Sequence, residues 1–359
     1  MNILLICGEA SANQYGSKLA DTLNQHGHHT YSFGDESLAS HTTQLLSIDS
    51  IQHSVNFGSW KLKRHIIKNM RHALDNTPHR MDRAVIIDFP GYNFRIATAL
   101  TSLNIPISTF ITPNFWLWNQ RSMGKKLITY SDHVITIFQK EFEFYSKINS
   151  TKTHYFGHPL LLEPIQQLTT GRPQKTIGIF PGSRTSEIID HLPIMASIIS
   201  HLPKQYSVQI ICNQNRLHPL IHSLLKSKTH SPEVCSEINT RLDYAISAPG
   251  TNSLRLALMG IPLTIIGQLP FWVYALAKWV LRINIPHIGL PNVVMNERIC
   301  PEYVRPSNQQ CQTIAKNIQA FFSNPNPLKL FKNQTSDLRQ RLCVHPSFYD
   351  CLAKLIATK

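Results

Sequence analysis

Four short clusters carry residue types that could do chemistry, and each directly follows an apolar run. The first is Gly8-Glu9-Ala10-Ser11-Ala12-Asn13. Gly8 lets the backbone turn tightly, and Ser11 or Asn13 can cap a following helix, whose amides draw anions or sugar oxygens. The second is Ile87-Asp88-Phe89-Pro90-Gly91-Tyr92-Asn93. A carboxylate just beyond a strand can take the proton of an attacking hydroxyl, although Pro90-Gly91 equally suits a plain turn. The third is Phe180-Pro181-Gly182-Ser183-Arg184, with Glu187 three residues beyond the arginine. Free amides at Gly182 and Ser183, with the forked cation of Arg184, suit a diphosphate; a capped loop bearing a surface arginine is the alternative. The fourth, Ala248-Pro249-Gly250-Thr251-Asn252-Ser253, is a second turn of that kind. Two helix N-termini at one point favour negative charge by about 0.3–1 kcal/mol each at exposed sites. A fifth stretch, Thr112-Pro113-Asn114-Phe115-Trp116-Leu117-Trp118, is aromatic enough to line a lipid or sugar pocket or to fill a core.

The chain between these clusters supplies the elements that must hold them. Apolar runs of strand length stand at 3–7, 84–87, 107–111 and 134–138, alternating with helical patterns, the first over about 13–25. The alternation restarts at 177–180, 208–212, 245–247 and 263–266. Such an order predicts an α/β fold with parallel sheets and helices on both faces. Two doubly wound, Rossmann-like halves facing a central cleft are expected at 1–160 and 176–333. A linker at 161–175 contains Pro164, Gly171 and Pro173, and 334–359 reads as helical. In doubly wound sheets ligands bind beyond the carboxyl ends of the strands, where the clusters fall.

The 359 residues carry 35 Lys and Arg against 21 Asp and Glu, a formal charge of +14. That favours a polyanion: nucleic acid, an anionic membrane or a phosphorylated substrate. No nucleic-acid motif accompanies the charge, so no nucleic acid is expected as a partner. A 42% hydrophobic content excludes a disordered chain. Seven cysteines, none in C-x-x-C spacing, argue against a disulfide scaffold or structural zinc and for a reducing compartment. No D-x-D pair offers carboxylates to Mg²⁺, and neither a P-loop nor G-x-G-x-x-G after the first strand is present. The N-terminus lacks a basic region before its apolar run. The most apolar stretch, 260–281, is broken by Pro262, Gly267, Gln268, Pro270 and Lys278 and reads as strand, turn and helix rather than a membrane span. Residues 55–74 mix Phe57, Trp60, Ile66, Ile67 and Met70 with Lys61, Lys63, Arg64, Lys68 and Arg71. A basic helix of that kind can lie in a bilayer interface or pack on its own domain.

In their order, the segments GEASAN at 8–13, IDFPGYN at 87–93, TPNFWLWNQR at 112–121, FGHPL at 156–160, FPGSRTSEI at 180–188, PGTNSLRLAL at 249–258 and GLPNVV at 289–294 with PE at 301–302 resemble bacterial lipid-A-disaccharide synthase, a glycosyltransferase of GT-B architecture. The resemblance implies an inverting transfer of 2,3-diacylglucosamine from its UDP donor to the 6-hydroxyl of 2,3-diacylglucosamine 1-phosphate, giving a β-1,6-linked disaccharide and UDP. It implies Asp88 as general base and Arg184 as the cation on the leaving group. It implies substrate contacts at Gly8, Glu9, Ser11, Asn93, Trp116, His158, Gly182, Ser183, Gly250, Thr251, Asn292 and Glu302. Because both sugars are acylated, it implies a cytoplasmic enzyme, peripheral on the inner membrane, with Phe57, Trp60, Lys61, Lys63, Arg64 and Ile67 meeting an anionic surface. No metal or cofactor is expected, and by analogy the terminal helix crosses back to the first half. The chain departs from the family pattern at Ala12, Asn13, Gly91, Pro249, Arg255 and Arg305; Arg255 replaces a glutamate, and an arginine cannot accept a hydrogen bond. A related transferase, a UDP-sugar epimerase on the same architecture, and a non-enzymatic polyanion binder are the competing readings.

Overall fold

The computed structural model describes residues 1–8, 10–47, 60–89, 92–117, 119–164, 175–225, 232–238, 241–268, 287–324 and 326–358. Glu9, Phe57, Pro90, Gly91, Trp118, most of the 161–175 linker and the end of the apolar 260–281 stretch lie outside the described residues, as do the side chains of Trp60, Lys61, Lys63 and Arg64. The chain forms two compact units, Met1–Leu162 with Cys343–Lys359, and Glu163–Leu342.

The first unit is built on a seven-stranded parallel sheet in the order β3-β2-β1-β4-β5-β6-β7. The strands are β1 (Asn2–Cys7), β2 (His29–Gly34), β3 (Thr43–Ser47), β4 (Arg83–Ile87), β5 (Ile107–Phe110), β6 (His133–Thr136) and β7 (Thr153–Tyr155). Successive residues of β1 and β4 serve opposite faces. Ile3, Leu5, Cys7, Val85 and Ile87 enter one buried cluster, whereas Leu4, Ile6, Ala84 and Ile86 enter the other. Both faces are therefore covered, which is why these strands read as continuous apolar runs. Burying one such side chain stabilises by about 1.5–3 kcal/mol.

The last helix, Phe348–Ala357, covers one of those faces with Phe348, Leu352, Ala353 and Ile356, all fully buried. The chain enters it through an antiparallel bridge between Gly157 and Val344, in which the His158 amide donates to the Cys343 carbonyl at 2.9 Å. Gly157 has φ 92°, and a Cβ there would stand 2.4 Å from that carbonyl oxygen. This return begins at Cys343 and not at 334, where the sequence places it. Helix Asn326–Leu342 runs unbroken through 334, buries Phe331, Leu338 and Leu342, and donates from Arg341 to the Met295 carbonyl of the second unit.

The second unit carries a six-stranded parallel sheet in the order β10-β9-β8-β11-β12-β13. Its strands are β8 (Thr176–Phe180), β9 (Ser207–Ile211), β10 (Glu233–Cys235), β11 (Tyr244–Ser247), β12 (Leu263–Gly267) and β13 (Glu302–Val304). In each unit the strand order reverses about one central pair, β1/β4 and β8/β11, and crevices at such switch points are where open α/β sheets take ligands. Cys7 pairs with Ile87 and Ser247 with Phe180, so the turns that follow emerge side by side.

Candidate functional site

At the first switch point Gly8 and Asp88 leave neighbouring strands. Phe89 packs against Gly8 so closely that a Cβ on Gly8 would lie 2.1 Å from the ring, so the two turns interlock. Asp88 has φ 37° and Ile111, just past β5, has φ 60°. Left-handed backbone is costly for residues with a Cβ, above all a β-branched one, and such strain concentrates at functional sites. The Cys7 thiol is pushed up by burial first and then by the carboxylates of Asp35 and Asp88, which places Asp88 within electrostatic reach of the sheet end. Asn93, in the first turn of helix Asn93–Ser102, is 4% exposed, and neither of its amide atoms has a hydrogen-bond partner among the described residues. Ser11 is half-buried in helix Ala10–Gln25.

The aromatic segment stands beyond β5. Phe94 stacks on Phe115 at 5.8 Å, and Trp116 meets Phe138 at 5.7 Å. Phe138 in turn meets His158 at 5.0 Å, so Trp116 and His158 share one aromatic wall. His158 is buried, its Nδ1 accepts from the Leu160 amide, and burial holds it neutral with a pKa lowered to about 3. Its proton therefore sits on Nε2. No local motif singles out Phe138 or Glu141, the residues that join this wall together. The faint signal is the alternation of Glu141 and Glu143 with Phe142, Phe144 and Tyr145.

In the second unit the turn after β8 is already engaged. Gly182 has φ 122°, with Glu187 where a Cβ would stand. The Glu187 carboxylate accepts from the Ser183 amide at 2.8 Å and the Arg184 amide at 3.4 Å, and lies 3.4 Å from the Arg184 guanidinium. Of the two amides that the sequence assigns to a diphosphate, that of Ser183 is thus held by this carboxylate, while the Arg184 side chain stays exposed. His191 donates from Nδ1 to the Glu187 carbonyl and accepts at Nε2 from the Gln268 amide, pinning the end of β12 to the same helix. Beside this turn Gly250, at φ 136°, opens helix Thr251–Leu258, with Thr251 half-buried.

Two expected contacts are spent elsewhere. Asn292 is fully buried, and its amide pairs with both the N–H and the carbonyl of Cys300 at 2.8 Å each. Glu302 accepts from the Ile288 and Gly289 amides at 3.0 Å each and lies 3.0 Å from His287. Of the membrane candidates, Ile67 packs partly against the first unit's core beside buried Ile66 and Met70. Three of the departures engage their surroundings: Ala12 fills core, Asn13 accepts from the Asp35 amide, and Arg255 pairs with Glu163 at 2.7 Å. Among the described residues no helix is long and apolar enough to cross a membrane.

Residues 3–356 match the model of the family described as lipid-A-disaccharide synthetase. The chain is 25% identical to the lipid-A-disaccharide synthase of Acidobacterium capsulatum, covering 95% of this chain and 92% of that one. It is 29% identical to that of Coxiella burnetii, over 78% of this chain and 76% of that one. Among solved structures it resembles UDP-GlcNAc 2-epimerase from Neisseria meningitidis bound to UDP-GlcNAc, with TM-score 0.63, 13% identity and full coverage of both chains. It also resembles CalG4, the calicheamicin glycosyltransferase, with TM-score 0.58 and 11% identity over 99% of this chain and 97% of that one. Likeness at such identities is one of fold, two Rossmann-like units of GT-B type, as the sequence predicts.

Proposed function

The chain belongs to the lipid-A-disaccharide synthetase family, and from that membership we propose that it moves 2,3-diacylglucosamine from UDP to the 6-hydroxyl of 2,3-diacylglucosamine 1-phosphate. As a family member it is a glycosyltransferase that uses a UDP-sugar donor and a sugar acceptor. The acceptor oxygen attacks the donor's anomeric carbon, the bond from that carbon to the diphosphate breaks, and the configuration inverts. Asp88 takes the hydroxyl proton, for which its place beyond β4 and its left-handed backbone argue. Arg184 neutralises the charge gathering on UDP. For the amides of Ser183 and Arg184 to meet the diphosphate, Glu187 must yield its hydrogen bonds to them.

The first unit takes the acceptor through Gly8, Glu9, Ser11, Asn93, Trp116 and His158. The second takes the donor through Gly182, Ser183, Gly250 and Thr251. Asn292 and Glu302 serve that side by shaping 287–300 rather than by touching substrate. We place the enzyme on the cytoplasmic face of the bacterial inner membrane, held through the first turns of helix Trp60–Asp75 and the net charge of +14. Binding to anionic vesicles that weakens steeply with salt is the expected result.

The observation that carries the reading is the family match across nearly the whole chain. A related transferase, an epimerase or a polyanion binder is not favoured by it, since the epimerase likeness is of fold alone. The test is mass spectrometry of the product from defined acylated donor and acceptor in detergent. A disaccharide monophosphate with stoichiometric UDP is expected; folded protein that yields neither overturns the assignment.

A further inference from the structure

One buried side chain that has no part in the proposed chemistry ties two strand ends together. Glu141 is 1% exposed and lies in helix Gln139–Ser146, after β6. Its Oε2 accepts from the amides of Ile137 at 2.8 Å and Phe138 at 3.1 Å. Its Oε1 accepts from the Thr112 amide at 3.2 Å and the Thr112 hydroxyl at 2.5 Å. A carboxylate has about four acceptor positions, and all are filled. A helix cap needs only the two local amides; the second oxygen instead reaches to the end of a different strand. Thr112 opens the segment that carries Trp116, and Phe138 carries the ring between Trp116 and His158. Tyr145, on the next turn of the same helix, donates its hydroxyl to the Pro113 carbonyl at 3.4 Å.

We propose that Glu141 is a positioning residue for acceptor recognition: it sets the 112–117 segment against Phe138, so that Trp116, Phe138 and His158 form one wall for the apolar side of the acylated acceptor. The proposal rests on the reading of the first unit as the acceptor side. Burial pushes the Glu141 carboxyl up to about 6, against the four hydrogen bonds that hold it down. Around it, Tyr145 and Tyr155 are pushed up by burial, Tyr155 also facing Cys343, and His158 stays neutral. Lys140 and Glu143, on the same helix, are exposed. Of Glu141, Tyr145, Tyr155 and His158, Glu141 is the one whose charge changes near pH 6, and its protonation places an O–H against N–H donors.

The experiment is steady-state kinetics of the full chain, with UDP-2,3-diacylglucosamine and the 1-phosphate acceptor, for Glu141→Gln, Thr112→Val and the double variant. Amide hydrogen exchange is read in parallel. In Glu141→Gln the acceptor KM is expected to rise about tenfold, with donor KM and kcat within about twofold. Thr112→Val moves acceptor KM the same way by less, and the double variant is no worse than Glu141→Gln, as befits one shared contact. The parent's acceptor KM rises as pH falls through about 6, and that inflection is absent from Glu141→Gln. Exchange quickens across 112–117. A folded Glu141→Gln with the parent's acceptor KM and pH profile overturns the proposal. So does a loss spread equally over acceptor KM, donor KM and kcat. Should Glu141→Gln not fold, Thr112→Val decides alone, and an unchanged acceptor KM overturns it. Should the parent itself make no disaccharide, the functional reading fails separately, and unchanged exchange at 112–117 in Glu141→Gln then overturns the positioning role.

Discussion

Asp88 combines the carboxylate proposed as general base with a backbone angle that resists a side chain. Relieving the angle and removing the carboxylate together, in Asp88→Gly, is expected to leave stability within about 1 kcal/mol of the parent. Turnover is expected to fall by about 10²–10⁴, the range of a lost general base. Calorimetry with UDP release checks both, and near-normal turnover removes Asp88 from the mechanism. Two buried groups set opposing slopes of stability with pH. Glu141 is raised from 4.5 to about 6, so the folded state holds its proton longer, and that contribution is full below 4.5 and lost as pH rises through 6. His158 is lowered from 6.5 to about 3, so the unfolded state binds the proton first, and stability is lost as pH falls below 6.5. The histidine shift is the larger, so the two groups together are expected to weaken the protein on acidification from pH 6.5 to 3. Denaturant melts of His158→Gln should show the slope reversed; an unchanged slope would falsify this account.

The turns proposed to carry the chemistry depend on neighbouring elements as much as on their own sequence. Gly8→Ala forces a methyl into the Phe89 ring and is expected to cost about 1–3 kcal/mol, while displacing the Asp88 turn and lowering kcat. Adding Phe89→Ala should recover part of the stability in a denaturant series; if it recovers none, the clash is not the cause. The sheet centres were legible because β1, β4, β8 and β11 are buried on both faces and so read as unbroken apolar runs. β2, β3, β7, β10 and β13 were not. Segments such as Thr-Gln-Leu-Leu-Ser and Thr-His-Tyr are short and polar, and pairing with a neighbour makes them strands. The same divide runs through the site. Gly182, Arg184 and Asp88 stand in motifs beside central strands, whereas Glu141, Phe138 and His191 act through contacts between residues distant in sequence, which no local pattern displays. The engagement of Asn292 and Glu302 with backbone was equally invisible, since residue type alone does not separate a ligand contact from a brace.

At the scale of the molecule the two units draw on different stretches of chain, and they are expected to respond separately to damage. Phe348, fully buried among Phe110, Phe156 and Tyr349, anchors the returning helix. Phe348→Ala should destabilise the first unit by about 3–5 kcal/mol. Hydrogen exchange would quicken in β1 and β4 and stay unchanged in β8 and β11; quickening in both sheets would contradict the division at 163 and 342. The crossing at Gly157 and Val344 has a consequence for biosynthesis. As the nascent polypeptide leaves the ribosome, the lobe whose synthesis starts first must wait with one side bare, while the lobe translated second already has all its parts. Maturation therefore runs out of translational order, the early lobe being completed only once residues 343–359 have emerged.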